Sequence, residues 1–83
     1  MVPIHELLNR IRWDPEFGRG QFEIAYLDRL EKELVRVSFE RIHFTSGNHF
    51  SFETIDADGV GHTVPFHRVK AAYQDGVLIW QRR

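Results

Sequence analysis

Val64-Pro65-Phe66-His67-Arg68-Val69, running on through Asp75-Gly76 to Val77-Leu78-Ile79-Trp80-Gln81-Arg82, is the stretch on which the reading of this chain turns. Pro65 has no N–H to give a sheet ladder, so it fits a corner better than a central strand. Asp-Gly suits a two-residue hairpin turn, whose central positions both need a positive φ. The stretch therefore reads as a corner followed by an antiparallel strand pair. His67 and Arg68 put a titratable ring beside a forked cation at that corner, a pairing that suits phosphate. With Asp75-Gly76 at the centre of the turn, Tyr73 faces Leu78 and Ala71 faces Trp80. Val69, Ala71, Tyr73, Leu78 and Trp80 are then expected on one core side, which makes Trp80 structural rather than a stacking platform.

The same pattern occurs earlier. Val37-Ser38-Phe39-Glu40-Arg41-Ile42 and Val64-Pro65-Phe66-His67-Arg68-Val69 share the form Val-x-Phe-x-Arg-aliphatic, and each leads through a short segment to a Gly turn and another strand. If the repeat is real, two strand-corner-strand units curl the sheet into a small, partly open barrel. Glu40 stands where His67 stands in the second copy, a change of charge that folding alone does not require.

Around these units the elements are short. Ile4, Leu7, Leu8 and Ile11 fall at helical spacing, with His5, Glu6, Asn9 and Arg10 on the other side. Pro3 suits the first turn, and Pro15 pushes Asp14 toward extended backbone, so the helix should end near Trp13. Gln21 to Asp28 alternates, with Phe22, Ile24 and Tyr26 on one side, and Glu33 to Phe39 alternates through Val35, Val37 and Phe39. The link Arg29-Leu30-Glu31-Lys32 makes these two a hairpin. Ile42 to Thr45 and His49 to Asp56 flank the turn Ser46-Gly47-Asn48, and Asp56-Ala57-Asp58-Gly59 turns the chain into Val60 to Val64. The expected fold is α+β: one N-terminal helix packed on a curved antiparallel sheet of about six short strands.

The chain of 83 residues is expected to be one domain over residues 1–83, burying roughly 60% of its unfolded surface. It has no Cys, which excludes disulfides, thiolate catalysis and Cys-based zinc sites. No apolar run has the length of a membrane span and the N-terminus does not resemble a secretory signal, so a cytoplasmic protein without a membrane partner is expected. A net charge of −1 argues against a general nucleic-acid coat. Nine of the eleven cations are nevertheless Arg, with only Lys32 and Lys70 as Lys. Any nucleic-acid contact is therefore local, through forked donors.

Four pieces in order carry a resemblance: Ile4-x-x-Leu7-x-x-x-Ile11-x-Trp13-Asp14-Pro15, Phe22-x-Ile24-x-Tyr26-x-Asp28-Arg29, Val64-Pro65-x-His67-Arg68-Val69, and Gly76-x-x-Ile79-Trp80-x-Arg82. Together they span nearly the whole chain. In them the chain resembles the RNA cyclic-group end recognition domain, a small family associated with RNA repair. The resemblance implies a module that recognises RNA termini such as 2′,3′-cyclic phosphates without catalysis or a cofactor of its own. It also implies partners among RNA ligases, nucleotidyltransferases and phosphoesterases.

A cyclic phosphate bears one charge held close to a ribose and its base, so its reader wants forked donors and an aromatic face. His67, Arg68 and Arg29 are the candidates for the phosphate, with Trp13, Asp14 and Tyr26 near the sugar or base. Each has a structural alternative. Arg68 alternatively pairs with Asp14 or Asp28 and pins the corner to the first strand or the helix exit, and His67 alternatively hydrogen-bonds to backbone at the corner. Trp13 either stacks a base or seals the helix on the sheet; Asp14 caps, pairs with an Arg or accepts from a ribose hydroxyl.

Two rival functions follow from other features. His43-Phe44-Thr45 and His49-Phe50-Ser51 have the His-x-Thr/Ser form of two-histidine phosphoesterases, but they flank one short turn, and alternation puts their polar residues outward. A small cyclic phosphodiesterase using His43 and His49, or His67, is the catalytic alternative. An adaptor binding a repair enzyme through a Phe-rich sheet is the third reading. His43, His49 and His62 lack metal-ligand spacing, and Asp56-Ala57-Asp58-Gly59 lacks the rest of a calcium loop, so no metal is expected.

Overall fold

The computed structural model describes residues 3–28, 32–45, 47 and 50–82. The helix α1 spans Ile4–Trp13 and buries Ile4, Leu7, Leu8 and Ile11, the four residues set by its spacing. Leu8 is wholly buried, a contribution of about 1.5–3 kcal/mol for a side chain of its size. The helix stops where expected, with Asp14 in extended backbone ahead of Pro15. Gly18 then passes so close to the helix that a Cβ there would lie 2.5 Å from the Ile11 carbonyl oxygen.

Seven strands follow: β1 (Phe22–Leu27), β2 (Leu34–Ser38), β3 (Ile42–His43), β4 (Ser51–Ile55), β5 (Gly61–Pro65), β6 (Val69–Gln74) and β7 (Val77–Gln81). All pairings are antiparallel, so the α+β class holds. The strands divide into two sheets, one ordered β2-β1-β6-β7 and the other β3-β4-β5, and these do not close into a barrel.

The division happens at the repeated motif. Phe39–Arg41 and Phe66–Arg68 each form a single 3-10 turn. The first carries the chain from β2 in the larger sheet to β3 in the smaller; the second carries it back from β5 to β6. The entering residues have nearly identical backbones, φ −67 and ψ 140 at Ser38 against φ −63 and ψ 142 at Pro65. In each, the residue after the turn, Ile42 or Val69, donates its N–H to the carbonyl of the motif Phe. Proline's fixed φ already matches this geometry, which explains Pro65 at the corner.

One core serves the helix and both sheets. It joins the helix residues to Phe22, Ile24, Val37, Val69, Ala72 and Trp80 of the larger sheet and to Ile42, Phe52 and Val64 of the smaller. A run of ring contacts, Phe17 to Phe22 to Phe39 to Phe44, then Phe44 and Phe52 to Phe66, passes both corners at centroid distances of 5.5–6.5 Å.

The last hairpin confirms one expected contact and corrects another. Asp75 and Gly76 have φ of 51 and 84, as a two-residue turn requires, and Tyr73 faces Leu78. A register shift between Ala72 and Tyr73 then puts Ala72, not Ala71, opposite Trp80. An extra residue in one strand of a pair does this and also deepens its twist. Trp80 is buried as expected, while Leu78 remains exposed. Phe39 lies in the corner turn rather than in β2, and β3 is only Ile42–His43.

Candidate RNA-end site

Two hollows, about 830 and 500 Å3, adjoin across the end of β1 and share Tyr26, Asp28 and His62 in their walls. Both fall within the range of small-molecule sites, about 300–1,000 Å3. The larger is completed by Leu27, Thr63, Val64, Pro65, His67 and Arg68. It is thus formed by the second corner, the strand leading into it and the exit of β1. The smaller takes in Val35, Arg36 and Val37 of β2, Arg41 of the first corner, and the turn at Ile55, Asp56 and Ala57.

The larger hollow brings together three of the sequence candidates: His67, Arg68 and Tyr26. Among the described residues Arg68 forms no ion pair, with Asp14, Asp28 or any other carboxylate. Tyr26 is half-buried at the shared wall, and burial, followed by the nearby carboxylates of Asp28 and Asp56, pushes its phenol above the ordinary tyrosine value. At neutral pH it therefore keeps its proton and can donate.

Trp13 and Asp14 do not line either hollow. Trp13 is 74% exposed, with the Arg12 guanidinium 5.1 Å from its ring centre. Asp14 Oδ1 accepts the N–H groups of Glu16 and Phe17 at 3.1 and 3.2 Å, and its Oδ2 lies 3.8 Å from Arg10 Nε. It acts as the cap of the loop after the helix. Arg29 lies outside the described residues, as do His49 and the Ser46 and Asn48 of the expected turn.

Arg82 is the residue whose role the sequence patterns did not expose. Its Nε donates to the Val69 carbonyl at 3.0 Å and its Nη2 to the Phe66 carbonyl at 3.3 Å, with the guanidinium 5.3 Å from the Trp80 ring centre. It therefore clamps both ends of the turn that presents His67 and Arg68. An Arg two residues beyond a core Trp was the available signal, but nothing in the spacing says which carbonyls it meets.

The imidazole of His62 closes the wall through Nε2, 2.8 Å from Asp56 Oδ2. Asp56 Oδ1 also accepts the N–H groups of Asp58 and Val60, both at 2.9 Å. These bonds, the one with His62 foremost, hold the Asp56 carboxyl below its ordinary value. This is a turn braced by an Asx motif, with Gly59 at φ 82. His43 and His62 sit on opposite faces of the small sheet, since His43 pairs with Glu53 whereas His62 pairs with Thr54. Among the described residues no three His, Asp or Glu side chains gather as metal ligands would, and no helix is long and apolar enough to cross a membrane.

Compared with known proteins, the chain matches the family model of the MJ1316 RNA cyclic group end recognition domain over residues 1–82. Neither the curated proteins nor the solved structures contain a match. With residues 1–82 of its 83 matched, the chain belongs to the MJ1316 RNA cyclic group end recognition domain family.

Proposed function

We propose that this domain binds RNA ends bearing a 2′,3′-cyclic phosphate, taking the terminal phosphate at His67 and Arg68 with Tyr26 beside the ribose or base. The observation that carries the reading is the convergence of these three side chains on one hollow in a chain of this family. A cyclic phosphodiester offers only acceptor oxygens, so it needs donors. The Arg68 fork, a His67 ring N–H and the protonated Tyr26 phenol are all donors.

The carboxylates lining the two adjoining hollows add selectivity. A cyclic phosphate carries a single charge, whereas a linear 3′-phosphate monoester carries about −1.5 to −2 at neutral pH. Asp28 lines both hollows, whereas Asp56 lines only the smaller one. Their charge penalises the second negative charge of the monoester more than the single charge of the cyclic form. Selection here comes from repulsion as well as attraction.

Arg29 belongs to the same proposal through its place after Asp28, and a role in RNA repair alongside a ligase, nucleotidyltransferase or phosphoesterase follows from it. The Phe-rich surface needed by an adaptor is largely internal: Phe52 is buried, and Phe39, Phe44 and Phe66 pack on the core, leaving Phe50 exposed.

The test is an amide-shift titration with short RNAs that end in a cyclic phosphate, a linear 3′-phosphate or a 3′-hydroxyl. Shifts at 66–69 and at Tyr26, strongest for the cyclic end, are expected. An equal response to all three ends would sink the reading, and conversion of the cyclic end during the titration would replace it with a catalytic one.

A further inference from the structure

The smaller hollow has its own cation, placed by the same turn that places Arg68. Arg41 and Arg68 are the last residues of the two 3-10 corners, whose entry backbones and closing hydrogen bonds coincide. Each lines one of the two hollows, and the hollows share the wall of Tyr26, Asp28 and His62. The other cation of the smaller hollow is already engaged: Arg36 Nη2 lies 3.2 Å from Glu23 Oε1, and its guanidinium lies 4.0 Å from the Tyr73 ring centre. Arg41 forms no ion pair among the described residues. Asp56, in the wall of the same hollow, is occupied by His62 and two backbone N–H groups.

We propose that Arg41 forms a second phosphate subsite, which takes the internucleotide phosphate preceding the terminal group, so that the domain reads an end two nucleotides long. The proposal rests on the reading that the terminal phosphate sits at Arg68. Duplication of the corner supplies two forked donors across one groove, and single-stranded RNA supplies phosphates in succession along its backbone. Arg41 contacts the chain without regard to its bases, since a phosphate contact positions rather than specifies.

The experiment measures affinity for adenosine 2′,3′-cyclic phosphate and for the dinucleotide ApA ending in the same cyclic group, and takes their ratio. The full chain is expected to favour the dinucleotide by about tenfold, as one added charge-assisted contact would give. Arg41→Gln should reduce that ratio to about twofold, and Arg41→Lys should recover part of it, because charge returns without the fork. Arg68→Gln should weaken both probes together. Arg19→Gln, the same charge change on a residue lining neither hollow, should leave the ratio as it was. A wild-type ratio near unity, or a ratio unmoved by Arg41→Gln, overturns the proposal. ApA ending in a 3′-hydroxyl separates the two readings. If cyclic ends show no preference but ApA binding still depends on Arg41, end recognition fails and the subsite stands; if cyclic ends are preferred and Arg41 is silent, the reverse holds.

Discussion

The two corners start from one sequence pattern and one backbone turn, yet they are held and charged differently. At the first, Ser38 braces the turn locally, its Oγ accepting the Glu40 N–H at 3.4 Å. At the second, Pro65 offers no such acceptor, and Arg82 reaches back from beyond β7 to bond the Phe66 and Val69 carbonyls. The first presents Glu40 beside Arg41, a balanced pair; the second presents His67 beside Arg68, with no acid between them. The difference teaches that the turn itself is a structural unit and that its charge lies in what is hung on it. It also ties the more basic corner to the last strand, so the placement of His67 and Arg68 depends on residues distant in sequence.

The strongest way to break the comparison is to remove what the corners share. Phe52 is buried against the rings of Phe44 and Phe66. Phe52→Ala should cost about 3–5 kcal/mol, a large part of the about 5–15 kcal/mol typical of a domain. Urea unfolding reads the loss, and hydrogen exchange at Ile42 and Val69 should accelerate together. Exchange that rises at one corner alone would show that the aromatic run does not couple them.

Arg82→Ala should separate the corners. The loss of two half-exposed bonds to carbonyls is expected to cost about 1–2 kcal/mol. The Val69 amide should exchange faster while Ile42 keeps its protection, and affinity for cyclic RNA ends should fall with the loosened turn. Unchanged exchange at Val69 would remove Arg82 from its clamping role.

Acid should act more weakly, on the turn between the corners. The folded Asp56 carboxyl titrates below its unfolded value, so its contribution is full near neutral pH and is lost as the pH falls through the folded value. Stability should therefore decline on acidification, and Asp56→Asn should flatten that part of the profile, as followed by thermal melting across a pH series. A decline of the same size in Asp56→Asn would assign it to other carboxylates. The smallest effect belongs to Ser38→Ala, about 0.5 kcal/mol, with faster exchange at Glu40 and none at Val69. A loss as large as that of Arg82→Ala would erase the contrast between local and remote bracing.

Local chemistry made much of this fold legible. Pro3 and Pro15 bracket the helix, Asp75-Gly76 makes its turn, and Val-x-Phe-x-Arg-aliphatic marks both corners. The missed contact, Ala71 in place of Ala72 opposite Trp80, arises from a bulge, and Ile79 at that step carries no residue-type signal such as glycine. The assignment of strands to two sheets was also hidden, because β1 pairs with β6, Ile24 opposite Ala72, across more than forty residues of chain rather than through a turn. At the site, residue type and order nominated His67, Arg68 and Tyr26 as candidates without saying that they line one hollow. Their joining into one hollow required the β1 exit to meet the second corner, a long-range contact that periodicity does not contain.

That pairing of β1 with β6 also orders the birth of the protein. On a ribosome β1 and β2 can form their hairpin early, and β3, β4 and β5 can assemble as a local meander. The second edge of β1 must nonetheless wait for β6. During that interval a strand carrying Phe22, Ile24 and Tyr26 exposes unpaired backbone, the setting in which nascent chains join the wrong neighbour. Closing so long a loop is slow compared with forming a hairpin. Synthesis rate and chaperone access, rather than equilibrium stability, are then the quantities that should govern the yield of folded domain.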